Sequence, residues 1–204
     1  MIYLTGSKSN AHTEHLDRGR IGLLRTPRSR YALKPGWVWA ADNGCFSPDT
    51  YVGDGQWIAW LERQSREGCL FAVAPDVVGD AAATLQRSLP WLARIRELGF
   101  PAAFVAQDGI EHIDVPWDSF DVLFIGGTTD FKLGDVAASY SREAVARGKR
   151  VHLGRCNSRR RLIHAHNIGA SSADGTFLAF APSQNIPRME MWLEGLDQHK
   201  GAPA

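Results

Sequence analysis

Three aspartates of this chain each close a short apolar run: Asp42 ends VWAAD, Asp76 ends FAVAPD, and Asp174 ends the SAD of SADGTFLAF. Other runs close on Gln107 with Asp108, on Gly126 with Gly127, and on Arg155 with Cys156 and Asn157. If these runs are strands that deliver their ends to one place, three carboxylates, an amide and a diglycine converge there. Such a set suits a purine: carboxylates accept from its ring N–H and amino donors, while an amide and backbone N–H groups serve its carbonyl. Each member also has an ordinary structural use. An aspartate just past a strand is often the N-cap of the next helix, Asp174-Gly175 reads as a turn, the diglycine as a tight loop and Gln107 as a surface amide. Their joint position at successive run ends is what favours a site.

Other chemistries find less support. His152, His164 and His166 lie close in sequence, but without HExxH spacing, paired cysteines or a local run of carboxylates no metal is expected. Cys45 follows a run beside Gly44, yet no sequence feature supplies a partner histidine, and a small buried residue is its default reading. Cys45, Cys69 and Cys156 are an odd number without a CxxC pair, which argues against a disulfide framework and for a reducing cytoplasm.

The elements that must position these residues follow from the periodicity. The runs IYLTG, VWAADN, FAVAPD, AAFVAQD, VLFIGG, VHLGRCN and the weaker SADGTFLAF read as strands buried on both faces. Between them lie stretches of helical period. Trp57, Trp60, Leu61 and Gln64 share one face, Leu85, Leu89, Leu92, Ile95 and Leu98 another, and Ala137, Tyr140, Ala144 and Val145 a third. A last helix is expected from Pro187 to Leu196. Strand and helix alternating over the whole chain mean a parallel α/β sheet, and no glycine-rich dinucleotide fingerprint follows the first strand. The expectation is a compact (β/α)8 TIM-like barrel, residues 1–204 as one domain, with one unit reduced or missing. In such a barrel reactive groups project from the C-terminal ends of the strands, where the aspartates fall.

With 204 residues of which 44 % are hydrophobic, the chain can close one sizeable core. Its 23 Lys and Arg nearly balance 22 Asp and Glu, so attraction to a polyanion must come from local clusters. No apolar segment has the length of a signal peptide or a membrane span, so no membrane partner is expected. The last six residues, HKGAPA, have the composition of a frayed tail.

The strand ends match a known pattern in the same order. WAADNGCF resembles the "DSGGFQ" region of the tRNA-guanine transglycosylases, FAVAPDVVGD their strand with a base-reading aspartate, FVAQDG their "VQGG", and FIGGTTDFKLG their "GGLAVGE". VHLGRCNSRRRLIHAHNIGASSADGTFLAF resembles their segment from "YLMGVG" to "DMFDCVLPTR", with the same six-residue spacing from Gly169 to Asp174. The resemblance covers most of the span from Trp37 to Phe180. It implies that Asp174 is the nucleophile at C1′ of the target nucleotide and Asp42 the general acid and base. It further implies that Asn43, Asp76, Gln107 and the Gly126-Gly127 backbone hold the base, with Phe46 packed against it. A carboxylate that displaces guanine gives a covalent glycosyl intermediate, a second carboxylate moves the base's proton, and no cofactor is needed.

The departures narrow the substrate. The tRNA enzymes carry a cysteine-rich zinc module that this sequence lacks, which turns the expectation from tRNA to DNA. The glutamate that ends "GGLAVGE" and suits an aminomethyl group has no counterpart among Thr128, Thr129, Asp130, Phe131 and Lys132, so a neutral 7-cyano-7-deazaguanine is the expected incoming base. Asn43 stands in place of serine and Cys45 in place of the second glycine. These traits are most similar to the short DpdA-type transglycosylases, especially the phage versions, which insert 7-deazaguanines into DNA; a phage protein would work in its host's cytoplasm. A tRNA-directed enzyme or subunit and a non-catalytic base-binding barrel are the alternatives.

Phosphate contacts are expected from Arg155, Arg159, Arg160 and Arg161, with the helix start at Asn157-Ser158. A second cluster, Arg18, Arg20, Arg25, Arg28, Arg30 and Lys34, reads as a loop that orders on substrate. A base paired in duplex DNA must flip out to reach a barrel mouth, at a cost of a few kcal/mol.

Overall fold

Runs of Val, Ile, Leu, Phe and Ala favour extended backbone covered on both faces, and eight of them form strands in a computed structural model that describes residues 1–198. They are β1 (Ile2–Thr5), β2 (Ile21–Arg25), β3 (Trp39–Ala41), β4 (Cys69–Val73), β5 (Ala102–Ala106), β6 (Val122–Ile125), β7 (Arg150–Leu153) and β8 (Ser172–Asp174). Each strand pairs in parallel with the next, and β8 returns to β1, so the sheet closes into a barrel. The helices are α1 (Asn10–Asp17), α2 (Asp54–Glu62), α3 (Ala81–Glu97), α4 (Thr129–Leu133), α5 (Asp135–Ala146), α6 (Arg159–Asn167) and α7 (Pro182–Gln198). This is the (β/α)8 TIM-like fold. Its reduction lies in the connections. Among the described residues, those from β2 to β3 and from β5 to β6 contain no α-helix, the latter only short 3-10 turns. The tail HKGAPA lies outside the described residues.

Side chains two apart on a strand share a face, so the barrel sorts its apolar residues into two cores. Leu4, Phe71, Val73, Ala103, Val105 and Val122 form the smaller one, with Phe124 packed on it. The larger one joins the outward-facing residues to the helices, around Trp39, Trp57, Phe104 and Leu123. Trp39 meets Phe100 edge-on with centroids 6.3 Å apart, and each such ring, when buried, contributes on the order of 2–3 kcal/mol.

The structure departs from the sequence reading at four places. The segment read as a substrate-ordered loop contains β2, the strand missing from the seven apolar runs, and Arg25 at its end is 8 % exposed. Its guanidinium lies 5.6–5.7 Å from the rings of Tyr31, Trp39 and Trp60 and donates to Gln64 Oε1 and the Tyr31 carbonyl, so it is packed among protein groups rather than presented on a loop. Arg18 pairs with Glu14 and Glu190, and Arg20 with Asp197, at the end of the barrel where strands begin. Leu89 and Val145, expected on packed helix faces, are exposed; Thr84, Ser88, Leu92 and Ile95 take the buried stripe of α3. The last helix begins at Pro182, with Pro187 inside it.

One glycine fixes how β4 enters the barrel. Gly68 has φ +68°, and a Cβ there would lie 2.3 Å from the Trp37 carbonyl oxygen. Gly68→Ala should cost at least about 2 kcal/mol, from left-handed backbone plus that clash. The expected fall in Tm is about 5 °C or more, read by calorimetry.

Candidate active site

The strand ends build one cavity of about 310 Å³, lined by Asp42, Asn43, Phe46, Asp76, Gln107 and Asp174 with Gly126, Gly127, Arg155 and Asn157. This volume is at the small end of the range for small-molecule sites. None of its three aspartates has the ordinary use considered above. The N-cap of α2 is Gly53 and that of α3 is Asp80, whose Oδ1 accepts from the Ala83 N–H. Asp174 ends a parallel strand and makes no hairpin.

At the β3 end, Asp42 Oδ1 accepts from the Gly44 N–H at 2.7 Å, and Asn43 Oδ1 accepts from the Cys45 N–H at 2.7 Å. Asp76 is clasped from both sides. Its Oδ1 accepts from Asn43 Nδ2 and its Oδ2 from Gln107 Nε2, each at 2.8 Å. The remaining Asn43 amide proton goes to the Ala74 carbonyl, and Gln107 Oε1 accepts from the Gly79 N–H. One Gln107 N–H and the outer lone pairs of Asp76 therefore stay available to a ligand, as a donor beside an acceptor. Gly126 must be small: a Cβ there would lie 2.6 Å from Val105 and 3.2 Å from Gln107 Nε2.

Across the cavity, Asp174 Oδ1 lies 3.0 Å from His152 Nε2 and accepts from the Arg155 N–H at 3.3 Å. Arg155 is one of two non-glycine residues with positive φ among the described residues, at +57°. Its guanidinium donates to the Gly127 carbonyl and lies 4.7 Å from the ring centroid of Phe46, which is 60 % exposed. Arg155 and Phe46 thus bridge the mouth from opposite strands.

Burial pushes the Asp42 carboxyl up to about 7, with the charges of Asp174 and Asp76 adding to the rise and the Gly44 N–H opposing it. Burial raises Asp76 as well, against its amide partners and Arg87. Asp42 is therefore a carboxyl able to hold or release a proton near neutrality. Burial also pushes the thiols of Cys45 and Cys156 up, the latter to about 12, away from nucleophilic thiolates. Lys132, on α4, is brought down to about 8 by burial and by Arg155 and Arg161, but its Nζ is turned to the Gly154 carbonyl at 3.1 Å. Among the described residues no three His, Cys, Asp or Glu side chains gather in a metal-holding group.

The expected arginine cluster divides. Arg155 lines the cavity, whereas Arg161 donates to the Arg155 carbonyl at 3.1 Å and supports it from behind. Arg159 borders a groove between α6 and α7, with Trp192 and Leu196, and Arg160 is exposed. Asn157 Oδ1 accepts from the Thr176 N–H, and Ser158 caps α6 on Arg161 N. Sequence reasoning missed His152 as a site residue. Its signal was an imidazole at a position of β7 that faces the barrel interior.

Fold and site together define a closed (β/α)8 barrel whose mouth presents an anchored carboxylate, a near-neutral carboxyl and an amide-clasped third. No protein-family model matches the chain, and no curated protein does. Solved structures are similar in fold. A native KDPGal structure superposes with TM-score 0.59 at 14 % identity, over 97 % of this chain and 95 % of that one. A cube-shaped, highly porous protein cage, designed by fusing symmetric oligomeric domains, gives TM-score 0.59 at 13 % identity, over 98 % and 73 %. At such identities the likeness is one of fold alone.

Proposed function

We propose that this protein is a base-exchanging transglycosylase that replaces guanine in DNA with a 7-deazaguanine, 7-cyano-7-deazaguanine being the expected base. The observation that carries the reading is that Asp174 and Asp42 line one purine-sized cavity in different settings: Asp174 Oδ1 is held between His152 Nε2 and the Arg155 N–H, and Asp42 sits near 7. Asp174 Oδ2 attacks C1′, the C1′–N9 bond breaks, and its electron pair leaves with guanine, which takes the proton of Asp42. The incoming base then gives its N9 proton to Asp42 and attacks C1′; the C1′–Oδ2 bond breaks and its pair returns to the carboxylate. The count of glycosidic bonds is unchanged, so no external energy source is required. The clasped Asp76 and the spare N–H of Gln107 supply the acceptor and donor that a guanine-type edge demands.

The test incubates the protein with single-stranded DNA, duplex DNA or tRNA and labelled 7-cyano-7-deazaguanine. Label in DNA with equimolar release of guanine is expected. Label in tRNA alone would reassign the polymer. Guanine release with alkali-labile abasic sites would make the protein a hydrolase, and base binding without release or label would make it a binding barrel.

A further inference from the structure

We propose that His152, held in turn by Ser172, is a positioning residue that makes the Asp174 carboxylate asymmetric, anchoring Oδ1 and presenting Oδ2; this rests on the reading of Asp174 as nucleophile. The arrangement is built into the sheet. The β7–β8 register sets His152 opposite Ser172, and Ser172 and Asp174, two apart on β8, share the inward face. The imidazole is wholly buried, with Phe71 and Phe124 at centroid distances of 4.9 and 4.5 Å. Both nitrogens are engaged: Nδ1 lies 2.8 Å from Ser172 Oγ and Nε2 lies 3.0 Å from Asp174 Oδ1. An ionised carboxylate only accepts, so Nε2 carries the proton, and Nδ1 accepts from the Ser172 hydroxyl.

The consequence is kinetic. The Arg155 N–H points at the same Oδ1, so two donors converge on one oxygen, and Oδ2 bonds no other group among the described residues. When Oδ2 bonds C1′, Oδ1 becomes the carbonyl oxygen of an ester, a weaker acceptor than a carboxylate. When the incoming base attacks, the electron pair of the C1′–Oδ2 bond returns to the carboxylate, and the His152 N–H strengthens its bond to Oδ1 as that charge appears. His152 therefore favours release of the sugar more than its capture. Without this donor, the covalent intermediate should accumulate.

The experiment compares His152→Phe, His152→Gln and Ser172→Ala with wild type by kcat, KM and the fraction of protein carrying a sugar adduct on Asp174. His152→Phe should lose about 100-fold in kcat, the scale of a misplaced reacting group, with KM within about threefold and an adduct fraction above wild type. His152→Gln, whose amide N–H reaches toward Oδ1, should recover all but about tenfold. Ser172→Ala should lose about fivefold. Wild-type kcat and adduct level in His152→Phe overturn the role alone, while absence of any Asp174 adduct in wild type overturns the proposed function and this role with it. If His152→Phe does not fold, nitrogen NMR of the wild-type imidazole decides: an Nε2–H tautomer that shifts in Asp174→Asn supports the role, and an Nδ1–H tautomer overturns it.

Discussion

Asp174→Asn is expected to abolish exchange, lowering kcat/KM by at least about 10⁴-fold, or about 5.5 kcal/mol of barrier, with no adduct detectable by intact mass. The size follows from what the side chain supplies. Its Oδ2 is the atom that bonds C1′, and the other two carboxyls of the cavity are placed for other work: each oxygen of Asp76 is held by an amide, and Asp42, with its proton exchange near 7, is the acid. The asparagine can keep its Oδ1 facing His152 and the Arg155 N–H, so the fold and the base-binding wall should survive. Base affinity within a few-fold of wild type, measured by calorimetry, is therefore part of the expectation. Near-native turnover in this variant would remove covalent catalysis from the site.

How much of this was legible in the sequence depends on the range of the interaction. Parallel strands covered on both faces read as continuous apolar runs, so seven strands and their terminal residues could be placed, and with them the cavity's three aspartates. The eighth was hidden by its flanks. IGLL is bracketed by Arg20 and Arg25, and Arg25 is tolerated inside because Tyr31, Trp39 and Trp60 surround it, two of them far along the chain, and because Gln64 and the Tyr31 carbonyl accept from it. A buried arginine whose partners lie on other elements leaves no local signature. His152, weighed in the sequence only as a metal ligand, was missed as a partner of Asp174 for the same reason. Within VHLG it interrupts nothing, and its partners come from the β7–β8 register. Arg161 was readable as basic but not as turned inward, since its acceptor is the carbonyl of Arg155, itself in a left-handed conformation.

Asp42→Asn separates the site's acid from its nucleophile, because the two losses carry different pH signatures. In wild type the departing guanine needs the proton of Asp42, so kcat/KM for the nucleic acid should fall as pH rises above about 7, where burial and the charges of Asp174 and Asp76 place this carboxyl. The substituted amide holds no transferable proton. Exchange should drop by about 10²–10⁴-fold, and the alkaline limb at 7 should disappear, while a slow adduct on Asp174 remains detectable. Stability should move the other way. A carboxyl that binds its proton up to about 7 when folded, against an ordinary 3.8, makes the native state hold more protons between those values. Wild-type stability then declines as pH rises through that window, and the full penalty is present above 7. The neutral amide of Asp42→Asn carries no such penalty and can keep the Gly44 N–H bond, so the variant should exceed wild type by about 2 kcal/mol at pH 8, a value reduced from full linkage because water reaches the cavity wall. The advantage should vanish toward pH 4, read from denaturant unfolding at both pH values. A variant less stable than wild type at pH 8 would mean that the folded protein prefers Asp42 as a carboxylate, and the assignment of the acid would have to move elsewhere in the cavity.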